Sequence, residues 1–295
     1  MIKYFIYTSL ILFLLTNNSF SEISVKITPD EKVYQGNHLT LEIEDSSIQD
    51  KNFVVTINNK SNKAYRLKKG KYICFFAFPA DMKEGKYKVI IKEDNKDFYD
   101  GYTNIIKKSV GTQNISYYKP KLSKEDENKI KEEDELVEKT KSLNSDINYW
   151  NTPFILPVND YISGIYGIKR LLNGKYNNYH TGVDFASSQG TKIKAVNSGK
   201  ITLAKYFSKY NSNGNIVFID HGLGVSSAYL HLSKILVKEG EIVKQGQPIG
   251  LVGSTGRSTG PHLHWGLYLN GQNTDGDNWV KFTNKNKNIL ENKVY

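Results

Sequence analysis

Between Glu22 and about Lys108, apolar and polar positions alternate in short runs: ISVKIT, HLTLEIE, FVVTIN, YICFFAF, KYKVIIK and DFYDGYTNII. Turn-forming pairs separate them at Pro29-Asp30, Asn58-Asn59, Lys69-Gly70 and Glu84-Gly85. Leu39, Leu41 and Ile43 fall on one side of such a run and Thr40, Glu42 and Glu44 on the other. That period of two belongs to strands buried on one face. Six or seven of them in succession predict a β-sandwich, and we read residues 22–108 as an immunoglobulin-like β domain. His38 opens one run beside Asn37 with no ligand-like neighbour, which makes it an ordinary surface residue.

Residues 109–150 read as a linker. No period is visible in 109–122, but Ser123 stands three residues before Asp126, an arrangement that caps a helix N-terminus. The spacing predicts a charged helix over about 123–143, with Ile130, Val137 and the Leu136/Leu143 pair as a narrow apolar stripe. The stripe is too short for a coiled coil, so the helix should lie against one of the domains. From Asn151 the pattern returns to strands, TKIKAV, KITLAKYF, NIVFID and SSAYLHL, with glycine turns roughly every ten residues. No helix-length apolar pattern interrupts them. Residues 151–280 therefore predict an antiparallel β domain with a groove, 281–295 a C-terminal tail, and the whole chain a mainly β class. Val237, Gly240, Val243, Gly246 and Ile249 recur every three residues and predict a compact chain reversal.

Composition adds three constraints. Residues 1–21 begin with Lys3, continue in an apolar run to about Leu15, and end with Ser19 and Ser21 at the −3 and −1 positions of a cleavage site. This is the outline of a signal peptide, and the run is short of the roughly 20 residues of a membrane span. No cysteine follows it, which argues against a lipid anchor, and export to the periplasm, the cell wall or the medium is the expectation. Cys74 is the only cysteine, so an intrachain disulfide is excluded, and its place in YICFFAF suggests a buried thiol. The formal charge is +10, and residues 151–295 carry 16 Lys/Arg against 8 Asp/Glu while residues 1–150 carry 24 against 22. A basic half favours an anionic partner such as nucleic acid, anionic lipid or a bacterial wall, although the scattered lysines also fit a general Lys- and Asn-rich bias.

The candidate chemistry lies in that basic half. In GPHLHWGLYLNG, His262 and His264 are two residues apart in a strand-like run, which sends both imidazoles to the same face. His180 and Asp184 lie upstream in YHTGVDFA and His231 in SAYLHLS, each beside glycines or small residues that permit close approach. Two imidazoles and one carboxylate are a familiar ligand set for catalytic zinc, and His180, Asp184 and His264 can supply it. His231 and His262 are then available to take a proton and to steady an oxyanion. His221, in a turn after a strand in IDHGLG, reads as structural. Arg170, Tyr176 and Tyr179 are close to His180 in sequence and are candidates to bind substrate.

The runs YHTGVDFASSQGTKIKAVNSGKI and GNIVFIDHGLGVSSAYLHLSKILVKEGEIVKQGQPIGLVGSTGRSTGPHLHWGL resemble the lysostaphin/LytM-type zinc metallopeptidases, over about residues 157–272. The resemblance implies a peptidoglycan endopeptidase that cuts stem peptides or cross-bridges and holds one zinc ion per chain. By it, His180, Asp184 and His264 match the zinc ligands, and His231 and His262 the catalytic histidines. It implies peptidoglycan as partner, not nucleic acid, with peripheral contact at the cell envelope. Family members that only regulate other wall hydrolases lack metal ligands, and this chain keeps all three. The alternative is an inactive or autoinhibited regulator of another hydrolase. Leu230 stands where members often have Ala, a change that strand alternation should absorb with His231 still facing inward. The VKEGEIVKQGQPIG run also resembles biotinyl-carrier loops but has no Met-Lys-Met lysine, so a carrier function is set aside.

Overall fold

The N-terminal alternation resolves into nine strands in a computed structural model that describes residues 23–29, 32–46, 50–115 and 121–287. The candidate signal peptide and the last eight residues of the tail lie outside the described residues. The strands are β1 (Ile23–Thr28), β2 (Lys32–Tyr34), β3 (His38–Asp45), β4 (Phe53–Ile57), β5 (Lys60–Lys63), β6 (Tyr65–Lys68), β7 (Lys71–Ala77), β8 (Gly85–Glu93) and β9 (Lys96–Ile106). They form two sheets, ordered β1-β3-β7-β6 and β2-β9-β8-β4-β5. Leu39, Leu41 and Ile43 of β3 meet Phe53, Val55 and Ile57 of β4 in one core between the sheets. Cys74 is buried in the same core.

Strand β7 departs from simple alternation because YICFFAF is apolar on both faces. Tyr72, Cys74 and Phe76 fill the sandwich, while Ile73, Phe75 and Ala77 join a second core with Trp150, Phe154 and Trp279. Phe75 meets Trp279 edge-on at 5.2 Å, and Trp150 meets Phe154 at 5.0 Å. Burial of each such large ring contributes on the order of 2–3 kcal/mol. Polar contacts fix the same junction: the Tyr65 hydroxyl donates to Asn270 Oδ1 at 2.8 Å, and Asn270 Nδ2 donates to the Phe75 carbonyl at 2.8 Å.

Residues 109–122, without visible period, nevertheless contribute β10 (Thr112–Ile115). Helix α1 follows at Lys124–Lys141, with the Ser123 hydroxyl accepting from the Asp126 amide at 3.1 Å. The remaining strands are β11 (Tyr161–Gly164), β12 (Lys169–Leu172), β13 (Lys175–Tyr179), β14 (Val183–Ala186), β15 (Lys192–Lys194), β16 (Gly199–Lys205), β17 (Ile216–Gly222), β18 (Val225–Leu230), β19 (Lys234–Ile235), β20 (Ile242–Val243), β21 (Pro248–Leu251), β22 (Leu263–Leu269) and β23 (Gln272–Thr274). The main sheet runs β11-β14-β22-β18-β17-β16-β20, with β23 on β22, and is antiparallel throughout. Smaller sheets are β15-β21-β19 and β10-β12-β13. The pairing of β10 with β12 is parallel, because β10 arrives from the linker rather than by a hairpin.

The centre of the main sheet is covered on both faces. On one side lie Val217, Ile219, Tyr229, Trp265 and Leu267. On the other, Val137 of α1 packs with Phe218, Ala228 and Tyr268. Glu133 accepts from the Ser208 amide and hydroxyl, each at 2.8 Å, so α1 does lie against one domain. Leu143, expected on its stripe, is exposed because the helix ends two residues earlier.

Two expectations fail. The stretch from Gly276 to Lys285, spanning the expected boundary between domain and tail, is helix α2, capped by Asp275 and burying Trp279. It is only ten residues long, and its Asn- and Lys-rich sequence leaves too few apolar positions to show a helical period. His38, expected at the surface, is 3% exposed, because α2 docks on the start of β3. Its ring stands edge-on to Trp279 at 4.8 Å and Phe282 at 4.4 Å, and neither ring nitrogen has a hydrogen-bond partner among the described residues.

Burial pushes the His38 imidazole from 6.5 down to about 3, so below pH 6.5 the unfolded chain takes up a proton that the folded chain refuses. Stability from this residue is therefore complete above pH 6.5 and is lost as pH falls toward 3. Replacing His38 with Phe should remove roughly 2 kcal/mol of the stability lost between about pH 7.5 and about pH 5. Denaturant unfolding of both chains at the two pH values checks this; equal acid losses would refute it.

Candidate metal centre

Strands β14 and β22 are neighbours, and their register sets Asp184 directly opposite His264. Cross-strand partners share a face, so the carboxylate and the imidazole are brought together by pairing alone. His180 precedes β14 and is held by two backbone bonds, Gly167 amide to His180 carbonyl and His180 amide to Ile168 carbonyl, both 2.8 Å. Between them, Gly182 passes directly over His264. A Cβ there would lie 2.6 Å from His264 Nε2 and 2.6 Å from the Trp265 carbonyl oxygen.

His180 Nδ1 lies 2.9 Å from the Ile165 carbonyl oxygen. A carbonyl only accepts, so Nδ1 carries the hydrogen and Nε2 of the neutral ring presents a lone pair. That lone pair faces Asp184 Oδ1 at 3.0 Å and His264 Nδ1 at 3.0 Å, and the latter two are 2.7 Å apart. Three basic atoms this close need a proton or a cation among them. A tetrahedral zinc site, with ligands at about 2.0–2.1 Å, separates its donors by about 3.3 Å, so the triangle is close to the size required. Among the described residues these three form the group able to hold a metal ion. Burial raises the Asp184 pKa, but the close His180 and His264 rings outweigh it and hold the carboxyl well below the usual range. Burial lowers the pKa of His264.

His231 and His262 stand beside this triangle, with ring centroids 4.7 Å apart and His231 6.1 Å from His264. Alternation along β18 is not what aims His231. It lies just past the strand in the left-handed region, φ 65°, and its Nδ1 donates to the Thr255 carbonyl at 2.8 Å. Nδ1 of His262 donates to the Gly260 carbonyl at 2.9 Å. Both neutral rings thus keep an unprotonated Nε2. Burial, with His264 and His262 nearby, pushes His231 down to about 3. His221 is remote from this group, bonded at 2.8 Å to both the Ser198 carbonyl and the Ser227 hydroxyl.

Two adjoining cavities of about 210 and 260 Å³ meet at the triangle, and Arg170, Asn178, His231, Arg257 and His264 line both. Arg170 Nη2 lies 3.3 Å from Asp184 Oδ2. Its cross-strand partner is Asn178, and the next pair, Lys169 with Tyr179, alternates to the opposite face. The Tyr179 hydroxyl accordingly donates to Asn273 Oδ1 at 3.0 Å, although the residue still borders the smaller cavity. Tyr176 is 59% exposed and borders neither cavity. Of the three residues chosen for their closeness to His180 in sequence, Arg170 and Tyr179 thus border the cavities and Tyr176 does not, while Asn178, Lys209 and Arg257 line them unforeseen. Asn178 stands two residues before His180 in a β run, and Arg257 is the basic residue in the glycine-framed loop before His262.

Residues 178–276 match the model of Peptidase family M23. They are an M23 domain. It contains the whole triangle together with His231 and His262, in agreement with the resemblance carried by the motifs. Over 93 residues the chain is 48% identical to the DD-carboxypeptidase/endopeptidase Mpg of Neisseria meningitidis, covering 32% of this chain and 21% of that protein. It is 46% identical over 93 residues to the peptidoglycan DD-endopeptidase ShyA of Vibrio cholerae, again 32% of this chain and 21% of the relative. The chain thus spans about a fifth of the length of these curated relatives. A solved structure from Pseudomonas aeruginosa, assigned to the M23 peptidases, superposes with TM-score 0.62 at 25% identity, covering 88% of this chain and 92% of that one.

The clash at Gly182 yields a test that does not depend on catalysis. Gly182→Ala should cost about 1–3 kcal/mol by overpacking and weaken metal binding by displacing His264. Gly260→Ala, where a Cβ meets nothing within 4 Å, is the control. Thermal unfolding and a zinc titration of both variants decide it, and equal behaviour would refute the constraint.

Proposed function

We propose that the chain is a zinc-dependent endopeptidase that hydrolyses peptide bonds in the stem peptides or cross-bridges of bacterial peptidoglycan. The observation that carries this reading is the convergence of His180 Nε2, Asp184 Oδ1 and His264 Nδ1 within 3.0 Å of one another, at a groove lined by two more imidazoles. The M23 domain and the names of its DD-endopeptidase relatives support the same chemistry. Export is part of the proposal, since peptidoglycan lies outside the cytoplasm and residues 1–21 have the outline of a signal peptide.

His180, Asp184 and His264 would hold the zinc ion, which when bound supplies the Lewis acidity that polarises a carbonyl and lowers the pKa of a water molecule. His180 is oriented for this by its bond to the Ile165 carbonyl, which fixes the tautomer. His231 and His262 handle the proton. One of them accepts it at Nε2 from the attacking water, and the imidazolium so formed offers an N–H to the developing oxyanion. Arg170, through Asp184 Oδ2, steadies the carboxylate whose other oxygen belongs to the triangle.

Purified sacculi incubated with the full chain should release peptide fragments that are absent with chelator, restored by zinc, and absent with His264→Ala. His231→Ala should keep its zinc while losing about 10²–10⁴ in rate. Mass analysis of the fragments and metal analysis of each variant check both statements. Release that persists in chelator would overturn the assignment, and loss of zinc from His231→Ala would make that residue a ligand.

A further inference from the structure

The charges around the groove are unbalanced. Among the described residues lining the two cavities, Arg170, Lys209, Arg257 and Lys141 are cationic, the last already paired with Glu138, and Asp184 is the only acid. Asp184 is already committed, with Oδ1 to two imidazoles and Oδ2 to Arg170 at 3.3 Å. Arg170 has further donors than this one contact uses, and its Nε is buried without a partner among the described residues. Arg170 and Arg257 both line both cavities, so the two guanidinium side chains flank the same groove. Arg257 is not on a loose segment. Its amide donates to the Ser212 carbonyl at 3.2 Å, and the preceding Gly256 packs so tightly on Gly214 that a Cβ would lie 2.3 Å from the Gly214 amide nitrogen.

Two like charges lining one partly desolvated groove are stabilised by an anion that reaches both. Unmodified peptides supply one kind of anion, the carboxylate, and a guanidinium fork matches it. We propose that Arg170 and Arg257 receive a substrate carboxylate beside the scissile bond, so that the groove selects wall peptides that carry one there. This rests on the endopeptidase reading and adds the substrate class. The carboxylate is either the free α-carboxylate at the end of a stem peptide or the side-chain carboxylate of a diacid residue next to the bond. A terminal carboxylate would make the chain a carboxypeptidase on uncrosslinked stems, and a side-chain carboxylate would restrict it to walls built with such a residue.

The experiment uses the full chain and two pairs of synthetic stem peptides. One pair differs only in a terminal carboxylate or carboxamide, and the other only in a side-chain carboxylate or carboxamide beside the bond. Cleavage is followed with zinc-loaded protein, and equilibrium binding with metal-stripped protein. At least one pair should favour the acid by about tenfold or more, as expected for a charge-assisted bidentate contact, chiefly through KM. Arg257→Gln should reduce that ratio to about twofold with zinc content unchanged, and Arg257→Lys should retain part of it. The pair that responds identifies the carboxylate. Equal binding of acid and amide in both pairs would overturn the inference even if cleavage is observed. An acid preference in binding without cleavage would uphold the carboxylate site while overturning the peptidase reading.

Discussion

The pairing of β14 with β22 is the constraint on which the C-terminal domain depends, because it alone sets Asp184 opposite His264. A slip of one residue would turn either side chain to the other face and replace it with Val183, Phe185, Leu263 or Trp265. Those apolar neighbours make the slip costly. Trp265 is fully buried on the face away from the triangle, and a Cβ at Gly276 would lie 2.7 Å from its ring. The register is thus enforced from the core side, and the site inherits its accuracy from packing. On the other edge of β22, β18 pairs Leu230 with His264, so the residue that follows, His231, emerges beside the triangle.

The same packing explains why the N-terminal sandwich is joined firmly to this domain. Strand β7 buries both of its faces, and its outer residue Phe75 meets Trp279, which α2 carries into the core shared with Trp265. Asp275, which caps α2, also takes an ion pair from Lys108 at 3.1 Å, and its amide donates to the Gly36 carbonyl at 2.8 Å. The end of the sandwich, the start of α2 and the far face of β22 are therefore one continuous body. Helix α1 closes the opposite face through Val137, which also borders the smaller cavity.

What could be read from the chain follows this division. Strands that bury one face, such as β3 and β4, announce themselves by alternation, and the His-x-His spacing places His262 and His264 on the groove side. The grouping of His180, Asp184 and His264 was legible as a set of residue types and as a resemblance, but the pairing that joins them spans 80 residues and leaves no local period. Elements whose stability is tertiary were invisible for the same reason. β10 is four polar-leaning residues that become a strand only because β12 offers an edge, and α2 is short and held by Trp279. His38 misled because polarity predicts exposure, whereas its burial is imposed by a helix more than 230 residues away. Tyr176 misled because closeness in sequence says nothing about which face a strand residue occupies.

The charge excess of the C-terminal half acquires a location from this geometry. Its lysines are scattered, yet both of the half's arginines, Arg170 and Arg257, line the groove. A lysine presents a hydrated point charge on a flexible stem, whereas a guanidinium keeps its charge when partly buried and offers donors in a fixed plane. In a chain that otherwise prefers lysine so strongly, two arginines at one cleft are better explained by recognition of a planar anion than by general basicity. A net positive field of this kind would favour approach of an anionic ligand, and in the proposed site the two planar cations would orient its carboxylate. In that proposal, long-range attraction and short-range selection fall to different residues, the first to the scattered lysines and the second to the two arginines that line the groove with His231 and His264.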